Sequence, residues 1–233
     1  MKLKKNILII TLKISFVIMA FASIYFLFFR KRDGYEKLNL NGVDNLMFVA
    51  HPDDEMLWGG RELIKNNYLV VCITCGSNKV RVKEFKKVMK ETKDKYYMLG
   101  YPDKIMNMRS NWKKEYPRIK EDVEKIYKLK NWKKVVVHNP YGEYGHMHHK
   151  MTSKIVSEVV DHNKLYYFNM YKRKSIIDYK NPMPKEDLEE KKRILSIYKS
   201  QGFIKKMFYH MIAFEKLIPY EDWMNNEEFK QKR

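Results

Sequence analysis

Four short apolar runs constrain what this chain can fold into. Residues 46–50 (LMFVA), 68–74 (YLVVCIT), 134–138 (KVVVH) and 165–170 (LYYFNM) have the length and the branched or aromatic character of buried strands. Between them lie helix-period patterns near 55–66, 81–98, 116–129 and 146–162. Strand–helix alternation of this kind predicts an α/β, Rossmann-like fold, in which a mostly parallel sheet is flanked by helices. Ligand sites in such folds lie beyond the carboxyl ends of the strands. The segment 172–184 reads as a long irregular connection, and nothing repeats.

Ahead of the first run, residues 7–29 are apolar apart from Lys13, Thr11 and a few small polar side chains. A helix of that length rises about 1.5 Å per residue and reaches across a hydrocarbon core of roughly 30 Å. Arg30-Lys31-Arg32 closes it in the manner of a stop-transfer signal. The competing reading is a cleaved signal peptide, since Ala20-Phe21-Ala22 has small–x–small form. The run is longer than a signal h-region, so the expectation is one transmembrane anchor within residues 1–40, and a single-pass membrane protein with its domain at 41–233. Orientation stays open, because Lys2, Lys4 and Lys5 before the span nearly balance Arg30, Lys31, Arg32 and Lys37 after it.

The net charge of +19, from 47 Lys+Arg against 28 Asp+Glu, invites a nucleic-acid reading. Seven of those charges fall in the first 32 residues, which hold no acid. The densest later run, Arg81 to Lys95, has Phe85, Val88 and Met89 at helical spacing. It reads as an amphipathic helix with a solvated basic face. No helix-turn-helix, zinc-finger or RNP signature accompanies it, so no specific nucleic-acid partner is expected. Cys72 and Cys75 have C-x-x-C spacing but fall in or at the end of a strand, which predicts buried free thiols rather than a redox pair.

Chemistry concentrates in two places. After the first run comes His51-Pro52-Asp53-Asp54-Glu55, an imidazole and three carboxylates within five residues. One Asp would suffice to cap the following helix. Two adjacent carboxylates repel, and a bound cation makes their proximity favourable. After the third run comes His138-Asn139-Pro140-Tyr141-Gly142-Glu143-Tyr144-Gly145-His146-Met147-His148-His149. On a helix resuming at His146, that residue and His149 share a face while His148 points elsewhere. Parallel strands bring both segments to one rim, where they supply the two imidazoles and one carboxylate of an open catalytic metal site. Spacing leaves open which of Asp53 and Asp54 binds metal.

These two segments resemble those of the PIG-L/LmbE-like family of zinc-dependent N-acetylglucosamine de-N-acetylases. Weaker similarity runs through Thr74-Cys75-Gly76 with Arg81-Val82-Lys83-Glu84, Leu99-Gly100-Tyr101-Pro102-Asp103, and Tyr198-Lys199-Ser200-Gln201. The resemblance implies His51, Asp54 and His149 as ligands of Zn2+ (or another divalent metal such as Fe2+) and Asp53 as general base. It implies His146 as oxyanion stabiliser or acid, Tyr144 as an aid at the carbonyl oxygen, and Arg81 and Asp103 near the sugar or its aglycone. His148 stands where the family often has Asp or Asn. Trp58, Trp112 and Trp223 fit either core or sugar cleft.

The function expected is a zinc-dependent N-deacetylase acting on an N-acetylated sugar of a glycan or glycolipid, with membrane lipid as a second partner. Two alternatives are a metal amidohydrolase on a non-sugar acetamide and a basic, membrane-tethered polyanion binder.

Overall fold

The computed structural model describes residues 11, 13–19 and 33–230. The chain divides into two compact units, Met1–Gly34 and Tyr35–Arg233. In the first, residues 13–19 are helical; the rest of the expected anchor, Thr11 excepted, lies outside the described residues. Among the described residues no helix is long and apolar enough to cross a membrane. The expected single-pass membrane location is corrected on that finding.

In the second unit, β1 (Asn45–Val49), β2 (Tyr68–Thr74), β3 (Lys95–Tyr101), β6 (Lys134–Val137), β7 (Leu165–Phe168) and β8 (Leu217–Pro219) form one sheet in the order β3-β2-β1-β6-β7-β8. All neighbours run parallel except β7 and β8. A two-stranded hairpin of β4 (Lys104–Ile105) and β5 (Met108–Arg109) stands apart from it. The main helices are α1 (Asp54–Lys65), α2 (Lys79–Thr92), α3 (Tyr116–Tyr127), α4 (Met147–Ser157), α5 (Lys185–Leu195) and α6 (Gly202–Phe208).

Strand alternation sends successive side chains to opposite faces, which gives this sheet two cores. Leu46, Phe48, Leu69, Val71, Val135 and Val137 pack on one face with Trp112 and Trp223. Met47, Val49, Val70, Cys72 and Val136 pack on the other with Trp58, Phe85 and Phe168. Cys72 and Cys75 are buried and free, as their place in and after a strand predicts. Burial on both faces explains why these strands read as continuous apolar runs.

The expected helix over 81–98 is two elements. α2 stops at Thr92, Lys93 turns left-handed at φ 63°, and β3 begins at Lys95. The amides of Lys93 and Asp94 close the last turn on Lys90 O and Met89 O. Beyond β2, a Cβ on Gly76 would lie 2.8 Å from Gly100 Cα, so the turns after β2 and within β3 require a glycine at their contact.

α1 is broken at Gly59, whose φ and ψ are −137° and 22°. Buried Lys191 of α5 passes against Gly60 and donates to Leu57 O (3.0 Å), Ile212 O (2.9 Å) and the Glu215 carboxylate. Glu215 in turn accepts from the amide of Arg61 (2.8 Å). An ion pair thus replaces the helical bond that Arg61 N–H would give to Leu57 O.

Candidate active site

The sheet order reverses between β1 and β6, where chain connections leave in opposite directions and open a crevice. Both chemical segments lie at that switch point. The amide of Ala50, just past β1, donates to His138 Nε2 just past β6 (3.0 Å).

Asp53 stands at the helix-cap position of α1 with φ 116°, and its side chain makes no capping bond. The capping alternative therefore fails. A non-glycine residue in this region costs on the order of 1–3 kcal/mol and persists where its surroundings hold it. Here its amide donates to Glu55 Oε2 (3.0 Å), while Glu55 Oε1 accepts from Tyr198 OH (2.5 Å). Arg81 donates to Pro52 O (2.6 Å) and reaches Asp53 Oδ1 at 3.4 Å. Burial, followed by the neighbouring Asp54 charge, pushes the Asp53 carboxyl well up. Burial pushes Asp54 the same way, but His149 and His138 outweigh it and hold Asp54 well below the usual carboxylate range.

Hydrogen-bond partners fix the tautomers. The carbonyl of Ser110 accepts from His148 Nε2 (2.6 Å), so His148 Nδ1 is bare and accepts from His51 Nε2 (3.1 Å). In the neutral imidazole His51 Nδ1 is then the lone-pair nitrogen, and it lies 3.2 Å from Asp54 Oδ2. Glu143 accepts from His138 Nδ1 (2.9 Å) and from His149 Nδ1 (2.5 Å). That leaves His149 Nε2 bare, buried without a hydrogen-bond partner, and 3.2 Å from Asp54 Oδ1. Two unprotonated imidazole nitrogens facing one ionised carboxylate are the donor set a divalent cation satisfies. His51, His146 and His149 also offer nitrogens close enough together to share an ion.

His146 does not lie in the helix as its spacing predicts. It precedes α4 with extended backbone, and its Nδ1 accepts the amide of His148 (3.2 Å). Its Nε2 therefore carries the proton. Burial, then His149 and His51, lower its pKa to about 2, so it stays neutral. Its ring centroid lies 4.5 Å from that of His149 and 4.8 Å from that of His51. Tyr144 packs its ring 5.8 Å from that of His146 and near Trp58.

A cleft of about 330 Å³ opens on this cluster, lined by His51, Asp53, Asp54, Arg81, Asp103, Tyr144 and His146. All the sequence-expected site residues except His149 line it, and His149 lies directly behind Asp54. Trp112 and Trp223 are wholly buried and take no part in the wall.

Residues 46–160 match the family model described as PIG-L, GlcNAc-PI de-N-acetylase. The chain is also 34% identical over 193 residues to "Uncharacterized protein L374" of Acanthamoeba polyphaga mimivirus, covering 76% of this chain and 80% of that one. This chain belongs to the PIG-L family. Membership brings a metal-dependent, deacetylase-like hydrolase function, and the His and Asp groups around Asp54 are where a metal fits. Among solved structures, GalB, the 4-carboxy-2-hydroxymuconate hydratase of Pseudomonas putida KT2440, aligns with TM-score 0.52 at 13% identity, over 72% of this chain and 84% of that one. That likeness is one of fold alone.

Several PIG-L site residues had no role assigned from sequence. His138 and Glu143 fell inside the second motif, but only their bonds to Ala50, Asn139 and His149 give them work. Lys104, Arg109, Ile204 and Met207 line the cleft and carried no signal. The weak late motifs pair with early ones: Tyr198 with Glu55, and Ser200, through its amide (2.8 Å) and hydroxyl, with Glu84.

Proposed function

We propose that this chain is a metal-dependent N-deacetylase that hydrolyses the acetamide of an N-acetylglucosamine-type sugar. The observation that carries this reading is the convergence of His51 Nδ1 and the partnerless His149 Nε2 on Asp54, with Asp53 beside them at the foot of a cleft. A divalent cation held by His51, Asp54 and His149, Zn2+ or Fe2+, would supply Lewis acidity and bring the pKa of a water toward about 7.

Asp53 takes a proton from the attacking water, a task its raised proton affinity suits. The oxyanion that develops on the acetamide carbonyl accepts from His146 Nε2–H, with the Tyr144 hydroxyl as a second donor. Neutral His146 favours the donor role over that of acid. Asp53 then returns its proton to the leaving amine as the C–N bond breaks, and acetate departs with the water's oxygen. Arg81 braces Asp53 from the cleft wall, and Asp103 is placed to accept from a sugar hydroxyl.

Acetate release from N-acetylglucosamine conjugates and from non-sugar acetamides, measured alongside metal content, tests this. Asp53→Ala should keep the metal and lose turnover by about 10²–10⁴-fold. His149→Ala should lose the metal. Full activity in Asp53→Ala would remove the base, and acetate release from non-sugar acetamides alone would overturn the substrate class.

A further inference from the structure

His51 has a second nitrogen, and its surroundings are as organised as those of the first. His51 Nε2, His148 Nδ1 and Asp103 Oδ1 form a triangle with edges of 3.1 Å, 3.5 Å and 3.5 Å. Ligands about 2.0–2.2 Å from a tetrahedral ion stand roughly 3.3–3.5 Å apart, so these atoms are spaced like one face of such a site. None of the three needs to move far to share an ion.

The segment between β3 and α3 builds this triangle. Ser110 gives its amide to Asp103 O (2.9 Å) and accepts His148 Nε2–H at its carbonyl (2.6 Å). Trp112 stacks on the His148 ring at 4.1 Å and gives its indole N–H to Pro102 O (2.8 Å). One loop thereby fixes both the backbone that carries the Asp103 carboxylate and the imidazole, and it fixes the imidazole in the tautomer with Nδ1 bare. His51 and Asp103 both line the cleft, which leaves a path for an ion and an open position for water.

We propose that His51 Nε2, Asp103 Oδ1 and His148 Nδ1 form a second divalent-cation seat, whose occupation withdraws His51 from the inner one. A neutral imidazole has one lone pair. When Nε2 spends it on the outer ion, Nδ1 carries the proton and turns from ligand into a donor to Asp54 Oδ2. The inner ion is then left with Asp54 and His149. Excess metal becomes an inhibitor through a residue shared by the two seats. This rests on the inner ligand set proposed above.

Co2+ binding to the untagged full chain, followed by equilibrium dialysis with elemental analysis and by the visible spectrum, separates the two claims. The wild type should bind about two equivalents, the second with a distinct spectral change, and lose deacetylation as the second fills. His148→Gln and Asp103→Asn should each bind about one, and His148→Gln should show no inhibition by excess metal. Saturation of the wild type at one equivalent would overturn the outer seat and leave the His51–His148 contact as a hydrogen bond. A second equivalent surviving both substitutions would place it elsewhere and overturn the assignment equally. A wild type that binds none would remove the outer seat and the inner ligand set together.

Discussion

The backbone amide of Asp53 is held by the side chain of Glu55, two residues further along the chain, at 3.0 Å. This bond, with Tyr198 fastening the other carboxylate oxygen, keeps a left-handed aspartate where a helix begins. The proposed base is thus held by a wholly buried residue that does not line the cleft.

Glu55→Ala should therefore lower kcat while leaving metal content and KM close to wild type. A displacement of about 1 Å in a reacting group costs up to about 10²-fold in rate. Glu55→Gln keeps an acceptor for the Asp53 amide and a partner for Tyr198, so it should recover most of the loss. Steady-state kinetics on both variants checks this, and equal damage from Ala and Gln would refute the strap.

Lys191 and Glu215 should not behave like an ordinary buried ion pair. Lys191→Met leaves Glu215 buried and unpaired, a loss of about 3–5 kcal/mol. In many proteins an apolar replacement of both partners regains that loss. Here Leu57 O, Ile212 O and the Arg61 amide depend on the pair. Lys191→Met/Glu215→Leu should stay destabilised, at about 1–3 kcal/mol for each stranded backbone group. Urea unfolding of the single and double variants measures the difference.

Asp94 carries a pH dependence of stability away from the site. Burial raises its carboxyl to about 7, while its Oδ1 accepts the amide of Tyr68 at 2.8 Å. The folded chain therefore holds a proton that the unfolded chain releases near pH 4, and stability falls as pH rises from about 4 to about 7. Asp94→Asn keeps the acceptor and cannot ionise. It should match the wild type below pH 4 and exceed it by on the order of 2–4 kcal/mol above pH 7. Parallel unfolding curves across pH would refute the assignment.

Much of this molecule was legible because its strands are buried on both faces and its two motifs are local. Each of the four expected runs is a strand within two residues at either end, and seven of the eight site residues expected from sequence line one cleft, with His149 behind it. β3 was hidden because its helix stops on Lys93 rather than on Gly or Pro, inside a charge pattern that reads as helix throughout. β8 is three residues long and ends on a proline. The order of protons on His51 and His148 was out of reach, because Ser110 O sets it through a contact 38 residues away in the chain.

The bond from the Ala50 amide to His138 joins residues 88 apart in the chain. A ribosome has delivered the whole first motif long before His149, which completes the proposed ligand set, emerges, so a nascent or truncated chain ending ahead of the second segment presents Asp53 and Asp54 with none of its imidazoles. On the proposed ligand set, competence to load metal is acquired late in synthesis, once β6 has docked on β1, and metal content would then measure how many molecules in a preparation have finished folding.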